Sequence, residues 1–142
     1  MDACPTLIMV GAQRYTLPMT APSPISLMPR PAQPTALPQP LLRSMVDRFH
    51  PEAVILFGSR ARGDHRPDSD WDVLVVVDDD TPEGVFDPEY CWQAQRNVVP
   101  GVHAEVIPTT LSDFLAERTG IATVAHEAFQ HGILVYERHS AG

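Results

Sequence analysis

The sequence predicts a small α+β or α/β domain with helices packed on a short sheet. Two apolar runs carry most of this expectation. AVILF at 53–57 stops at Gly58, and VLVVV at 73–77 is closed by three aspartates; both are brief, β-branched and bounded by turn residues, which reads as buried strand. Between and after them lie stretches with helical spacing, so the order is αβ(loop)βαβααβ. At 142 residues the chain has about one domain's length, and 44% apolar with 20% charged residues argues against both a membrane protein and a wholly disordered one.

Taken in order, residues 1–40 stand apart. They contain nine of the fifteen prolines, eight of them between Pro18 and Pro40. Proline lacks a backbone donor and cannot sit inside a helix or an interior strand, so this stretch reads as an extended or disordered arm. Leu7–Val10 is its one candidate strand or edge contact. A domain is expected over 41–138, followed by a short tail at 139–142. In LLRSMVDRF, Leu42, Met45, Val46 and Phe49 recur at helical spacing, and His50-Pro51 ends the helix. The strands AVILFG (53–58) and WDVLVVV (71–77) flank the turn-rich GSRARGDHRPDSD. A helix over 87–98 is expected from Asp87 as N-cap and Pro88 at the first position. HAEVIP (103–108) reads as a third strand. Helices follow over about 111–118, under a Thr110 or Ser112 cap, and about 121–130. ILVY at 133–136 is a last short strand.

Charge narrows the function. All ten basic residues are arginine, so Schiff-base chemistry and a lysine-bearing phosphate loop are both excluded. The net charge of −8 divides into +2 for residues 1–43 and −10 for 44–142. Such acidity disfavours long nucleic acid. No run approaches the ~20 apolar residues of a membrane span. Cys4 and Cys91 are too few and too far apart for a zinc site or disulfide framework. The start of the chain lacks a basic n-region, and a cytoplasmic protein is expected.

The chemistry concentrates in Phe57-Gly58-Ser59-Arg60-Ala61-Arg62-Gly63 and Ser69-Asp70-Trp71-Asp72. A strand ending on Gly58 allows close approach of a ligand, and Ser59 can open a helical turn whose amides favour an anion. Arg60 and Arg62 read equally well as phosphate ligands and as surface arginines; Gly63 can simply permit the turn. Asp70 and Asp72, two residues apart at a strand start, point to one side and repel each other unless a cation lies between them. Magnesium suits such oxygen ligands. Glu105 interrupts an apolar strand. It either faces solvent on an edge or, if its strand neighbours that of Asp72, completes a three-carboxylate cluster able to hold two divalent ions. Asp78–Asp80 reads as a solvated loop. The HExxxH at 126–131 is one residue too long for a zinc-protease motif, and Trp71 is expected in the core.

These residues resemble the minimal nucleotidyltransferases of the DNA polymerase beta superfamily. The shared pattern is GS, then DxD, here GSx₁₀DxD, then an acid on the next core strand, with a closing Gly132-x-x-x-Tyr136. The resemblance covers residues about 41 to 138 and implies a small mixed sheet with flanking helices. It implies that Gly58, Ser59, Arg60, Arg62 and Ser69 bind the nucleotide. Asp70, Asp72 and Glu105 would be both catalytic and metal-binding, with two Mg²⁺ ions and ATP as substrate. The third acid is often Asp in the superfamily and is Glu here. The implied activity is transfer of an NMP, AMP from ATP, to a hydroxyl. Such small members are often antitoxins paired with a helical HEPN-type toxin, whose tyrosine accepts the AMP. The alternatives are a small-molecule enzyme of the aminoglycoside type, which usually carries a further helical domain, and an idle antitoxin that works by binding alone.

Overall fold

The computed structural model describes residues 7–10, 13–16, 23–31 and 37–138. Leu7–Val10 (β1) is indeed a strand, and its partner is local: it pairs antiparallel with Gln13–Thr16 (β2) in a hairpin that the sequence reading did not include.

The main body begins with a helix over Gln39–Phe49 (α1), where Pro40 is tolerated because the first turn has no donor to lose. Leu41, Met45 and Phe49 fall on one stripe and are buried. His50 ends the helix in the left-handed conformation. Strand Ala53–Phe57 (β3) is buried along its whole length. A single helical turn, Ser59–Arg62 (α2), closes at Gly63, and Trp71–Val77 (β4) returns antiparallel beside β3. A 3₁₀ turn at Glu83–Phe86 leads into Pro88–Gln93 (α3), capped by the Asp87 side chain on the Glu89 amide. Then come Ala104–Thr110 (β5), Leu111–Glu117 (α4), Val124–His131 (α5) and Ile133–Glu137 (β6).

The four-stranded sheet runs β5-β4-β3-β6, with β4 and β5 parallel and the other pairs antiparallel. It is thus the small mixed sheet with flanking helices expected of the chain. Strand alternation sorts the core into two layers. Val54, Leu56, Val73 and Val75 meet α1 and Cys91 on one face; Ile55, Phe57, Leu74 and Val76 meet Phe114, Ala125 and Ala128 on the other.

Three expectations change. The helix begun at Pro88 is regular only to Gln93; beyond it the chain turns, with Asn97 left-handed. The last helix starts at Val124, because Ala122 is also left-handed and Thr123 supplies the cap to the His126 amide at 2.9 Å. Ile121, expected inside it, is 91% exposed. The largest difference is in the proline-rich arm. Over 23–31 it lies on the body: Ile25 and Met28 are buried in the second layer, and the Leu134 amide donates to the Pro29 carbonyl at 2.8 Å. Ser26 and Arg30 both bond the Glu137 carboxylate. Leu37 is buried in the first layer. The segment is not simply extended: Ile25–Leu27 form a 3₁₀ turn between the prolines, and the turn gives Ile25 a place to pack. The remainder of the arm and the 139–142 tail lie outside the described residues.

Candidate active site

The site forms where β3 ends and β4 begins. Gly58 has φ +75 and ψ −158, a conformation essentially reserved for glycine. A Cβ here would collide with the Asp72 carboxylate, which lies directly against the glycine backbone. The close approach follows from the antiparallel register that sets Phe57 opposite Asp72. The chain then turns into α2, whose first hydrogen bonds run from the Ala61 and Arg62 amides to the Gly58 carbonyl, at 3.1 and 3.0 Å.

On its other side β4 pairs with β5, and the parallel register places Glu105 beside Asp72. Paired residues on adjacent strands share a face, so Glu105 lies on the same face of the sheet as Asp72. Glu105 is also on the edge strand and exposed. Asp70, one step before the strand, is exposed and lies 3.7 Å from His103 Nδ1. The three acids are electrostatically coupled at Asp72. Burial pushes the Asp72 carboxyl above its ordinary value; the charges of Glu105 and Asp70 push it further, and the Arg62 guanidinium pulls it back. A side-chain hydrogen bond with Glu105 acts in the same upward direction.

The donor set is all oxygen, and two acids, Glu105 and Asp70, flank Asp72, whose pKa is raised. That chemistry fits a hard divalent cation. Asp70, Asp72 and Glu105 line one rim of the sheet, yet among the described residues no group of three or more His, Cys, Asp or Glu side chains is placed to hold a metal ion, which departs from the three-carboxylate cluster expected of the sequence.

The two arginines divide. Arg62 belongs to the field of Asp72 and also contacts Asp64 and Glu127, each at 3.3 Å. Arg60, expected as a phosphate ligand, has structural partners. It stacks 4.3 Å from the centre of the Trp71 ring and donates to the Ser69 carbonyl at 2.9 Å and the Pro67 carbonyl at 3.1 Å. Trp71 leaves β4 opposite Asp72 and packs on the first core layer, as expected of it. Arg60 therefore clamps the loop that delivers Asp70. Ser69 serves the same loop, its hydroxyl accepting the Arg66 amide at 2.9 Å.

Sequence reasoning missed two positioning contacts. Gln95 is buried, and its Oε1 accepts the Ala104 amide at 3.1 Å, fixing the strand start next to Glu105. His103 contacts Asp70, and its carbonyl accepts the Trp71 amide at 3.0 Å. A lone buried glutamine after a short helix has no sequence signature, and His103 directly precedes the strand that carries Glu105.

Two of the remaining features behave simply. Cys91 is a free buried thiol whose pKa burial raises, as an idle thiol would be; Cys4 lies outside the described residues. Among the described residues no helix is long and apolar enough to cross a membrane.

Comparison with known proteins bears on the whole. A toxin–antitoxin solved with AMP-PNP is 16% identical over 72% of this chain and 75% of its own, with a TM-score of 0.49. A candidate nucleotidyltransferase from Sulfolobus solfataricus is 18% identical over 73% of this chain and 93% of its own, with a TM-score of 0.36. No curated protein matches the chain. The family model described as nucleotidyltransferase domain matches residues 40–135, which include the Gly58-Ser59 turn, the Asp70–Asp72 pair and Glu105. By that match the chain belongs to the nucleotidyltransferase domain family.

Proposed function

We propose that this nucleotidyltransferase is metal-dependent and transfers AMP from ATP to a hydroxyl, and that it serves in the cytoplasm as the antitoxin of a HEPN-type pair, with a tyrosine of the helical partner as acceptor. The observation that carries the catalytic part is the register that brings Glu105 beside Asp72, with Asp70 two residues earlier and Gly58 directly beneath the Asp72 carboxylate. The antitoxin part rests on the resemblance of the GS and DxD segments.

In this reading the triphosphate lies along α2, where the Ser59 hydroxyl, the first amides of the turn and Arg62 face its charge. Asp70, Asp72 and Glu105 would hold two magnesium ions, which supply charge neutralisation at the α-phosphorus and the leaving group. Glu105 takes the proton of the acceptor hydroxyl. The freed oxygen bonds to the α-phosphorus as the bond to the β-phosphate oxygen breaks, and pyrophosphate departs. Arg60 and Ser69 hold the loop that keeps Asp70 in reach.

A second reading has one observation in its favour: among the described residues no group of three His, Cys, Asp or Glu side chains is placed to hold a metal ion. In it the chain neutralises its partner by binding alone. Co-purification with the protein encoded beside it, followed by incubation with ATP and Mg²⁺ and intact-mass measurement, separates the two. Gain of one AMP by the partner, lost in Asp72→Asn, supports transfer. An unchanged partner mass with full neutralisation establishes the binding-only reading instead.

A further inference from the structure

Glu105 has a second neighbourhood. A cleft of about 440 Å³ opens along the outer side of β5, between that edge strand and the 3₁₀ turn and helix α3. Asp70, His103 and Glu105 form its polar end, so it is continuous with the carboxylate rim. Its walls are apolar, made by Phe86, Trp92, Val106, Ile107 and Pro108. Trp92 is 43% exposed although its indole is large and apolar, and Arg96 is stacked over its ring at 4.8 Å. No arginine lines the cleft, and the chain has no lysine to place there.

We propose that this cleft is the acceptor subsite, and that it takes the apolar, aromatic body of a hydroxyl-bearing acceptor while excluding the end of a nucleic-acid strand. This rests on the transferase reading given above. The geometry sets the order of groups. α2 and Arg62 approach Asp72 from the β3 side, whereas the cleft reaches Glu105 from the opposite, outer side of β5. A nucleotide on the first side and an acceptor on the second meet at the carboxylates. The volume suits a ring with a little flanking backbone. An aromatic acceptor would bury the Trp92 indole and stack on it. A polyanionic acceptor would find no arginine along the apolar walls of the cleft to meet its phosphates. Trp92 and Phe86 would be specificity-determining residues for the acceptor, far from the nucleotide phosphates.

The test uses the full chain with Mg²⁺ and ligand-observed NMR against three probes: N-acetyltyrosinamide, N-acetylserinamide and a short single-stranded oligonucleotide with a free 3′-hydroxyl. The aromatic probe should bind about tenfold or more tightly than the serine amide, and Trp92→Ala should remove that advantage while Trp92→Phe restores it. The oligonucleotide should not compete. Equal binding of the two amides, displacement by the oligonucleotide, or indifference to Trp92→Ala would overturn the proposal. AMP-PNP affinity, measured separately on the same samples, keeps the two ideas apart. A wild-type chain that fails to bind AMP-PNP undermines the transferase reading, whereas one that binds AMP-PNP but not the aromatic probe undermines the acceptor cleft alone.

Discussion

Asp72 carries an electrostatic cost, because burial and the charges of Glu105 and Asp70 all oppose its ionisation. Folding raises its pKa, so the folded chain keeps that proton over a range where the unfolded chain has lost it. The stabilising contribution is complete below the ordinary Asp range and is lost as pH rises through the raised value. Metal-free Asp72→Asn is therefore expected to melt at a higher temperature than wild type at neutral pH, with the gap closing as the solution is acidified. Mg²⁺ should raise the melting temperature of wild type and leave the variant unchanged. A variant less stable than wild type at neutral pH would contradict this. Gly58→Ala is the companion experiment. Its positive φ and the Asp72 carboxylate both oppose a Cβ, so a loss of about 1–3 kcal/mol in urea unfolding is expected, together with loss of transfer. Both residues stood out in the sequence, as a glycine at a strand end and an acid at a strand start. Their contact did not, since it depends on the β3–β4 register.

At the level of elements, the loop between α2 and β4 is held by one side chain. Arg60 ties Pro67 and Ser69 to the Trp71 ring, and so sets where Asp70 emerges. Arg60→Ala should speed hydrogen exchange of amides in the loop and cut transfer about tenfold or more, because misplacing a ligand by even a fraction of an ångström is costly. ATP binding measured in parallel should fall far less; a collapse of ATP affinity with an unchanged loop would return Arg60 to the phosphates. This role was hidden from sequence reasoning because an arginine near a glycine-serine turn looks the same whether it faces a ligand or its own loop. Strands were easier to read. β3 is an unbroken apolar run closed by Gly58, β4 is apolar from Val73 to Val77 before Asp78, and the limits of both strands agree with the sequence almost residue for residue. Helix lengths were not, as α3 shows: its cap, Asp87, is local chemistry, but past its end Gln95 bonds Ala104, a long-range contact that the local pattern does not display.

For the molecule as a whole, the proline-rich segment is the revealing case. Its composition argued for an arm apart from the domain, yet Ile25 and Met28 complete the layer beneath α5, and Pro29 bonds β6. Ile25→Ala should therefore cost about 2–4 kcal/mol in urea unfolding, as a core residue does. An arm independent of the body would leave the midpoint where it was. Long-range packing of this kind has no period for a sequence to display, whereas the sheet and the carboxylate pair do. The acidity that marks residues 44–142 likewise acquires a place, since three of its carboxylates gather at one end of the sheet. The most direct measurement of the central claim compares ATP labelled at the α-phosphorus with ATP labelled at the γ-phosphorus, using purified protein, Mg²⁺ and a lysate of the producing cells. Nucleotidyl transfer predicts covalent, α-derived label on an acceptor, none from the γ-position, and none with Asp72→Asn. Label arriving from the γ-phosphorus, or equal labelling by wild type and Asp72→Asn, would contradict it.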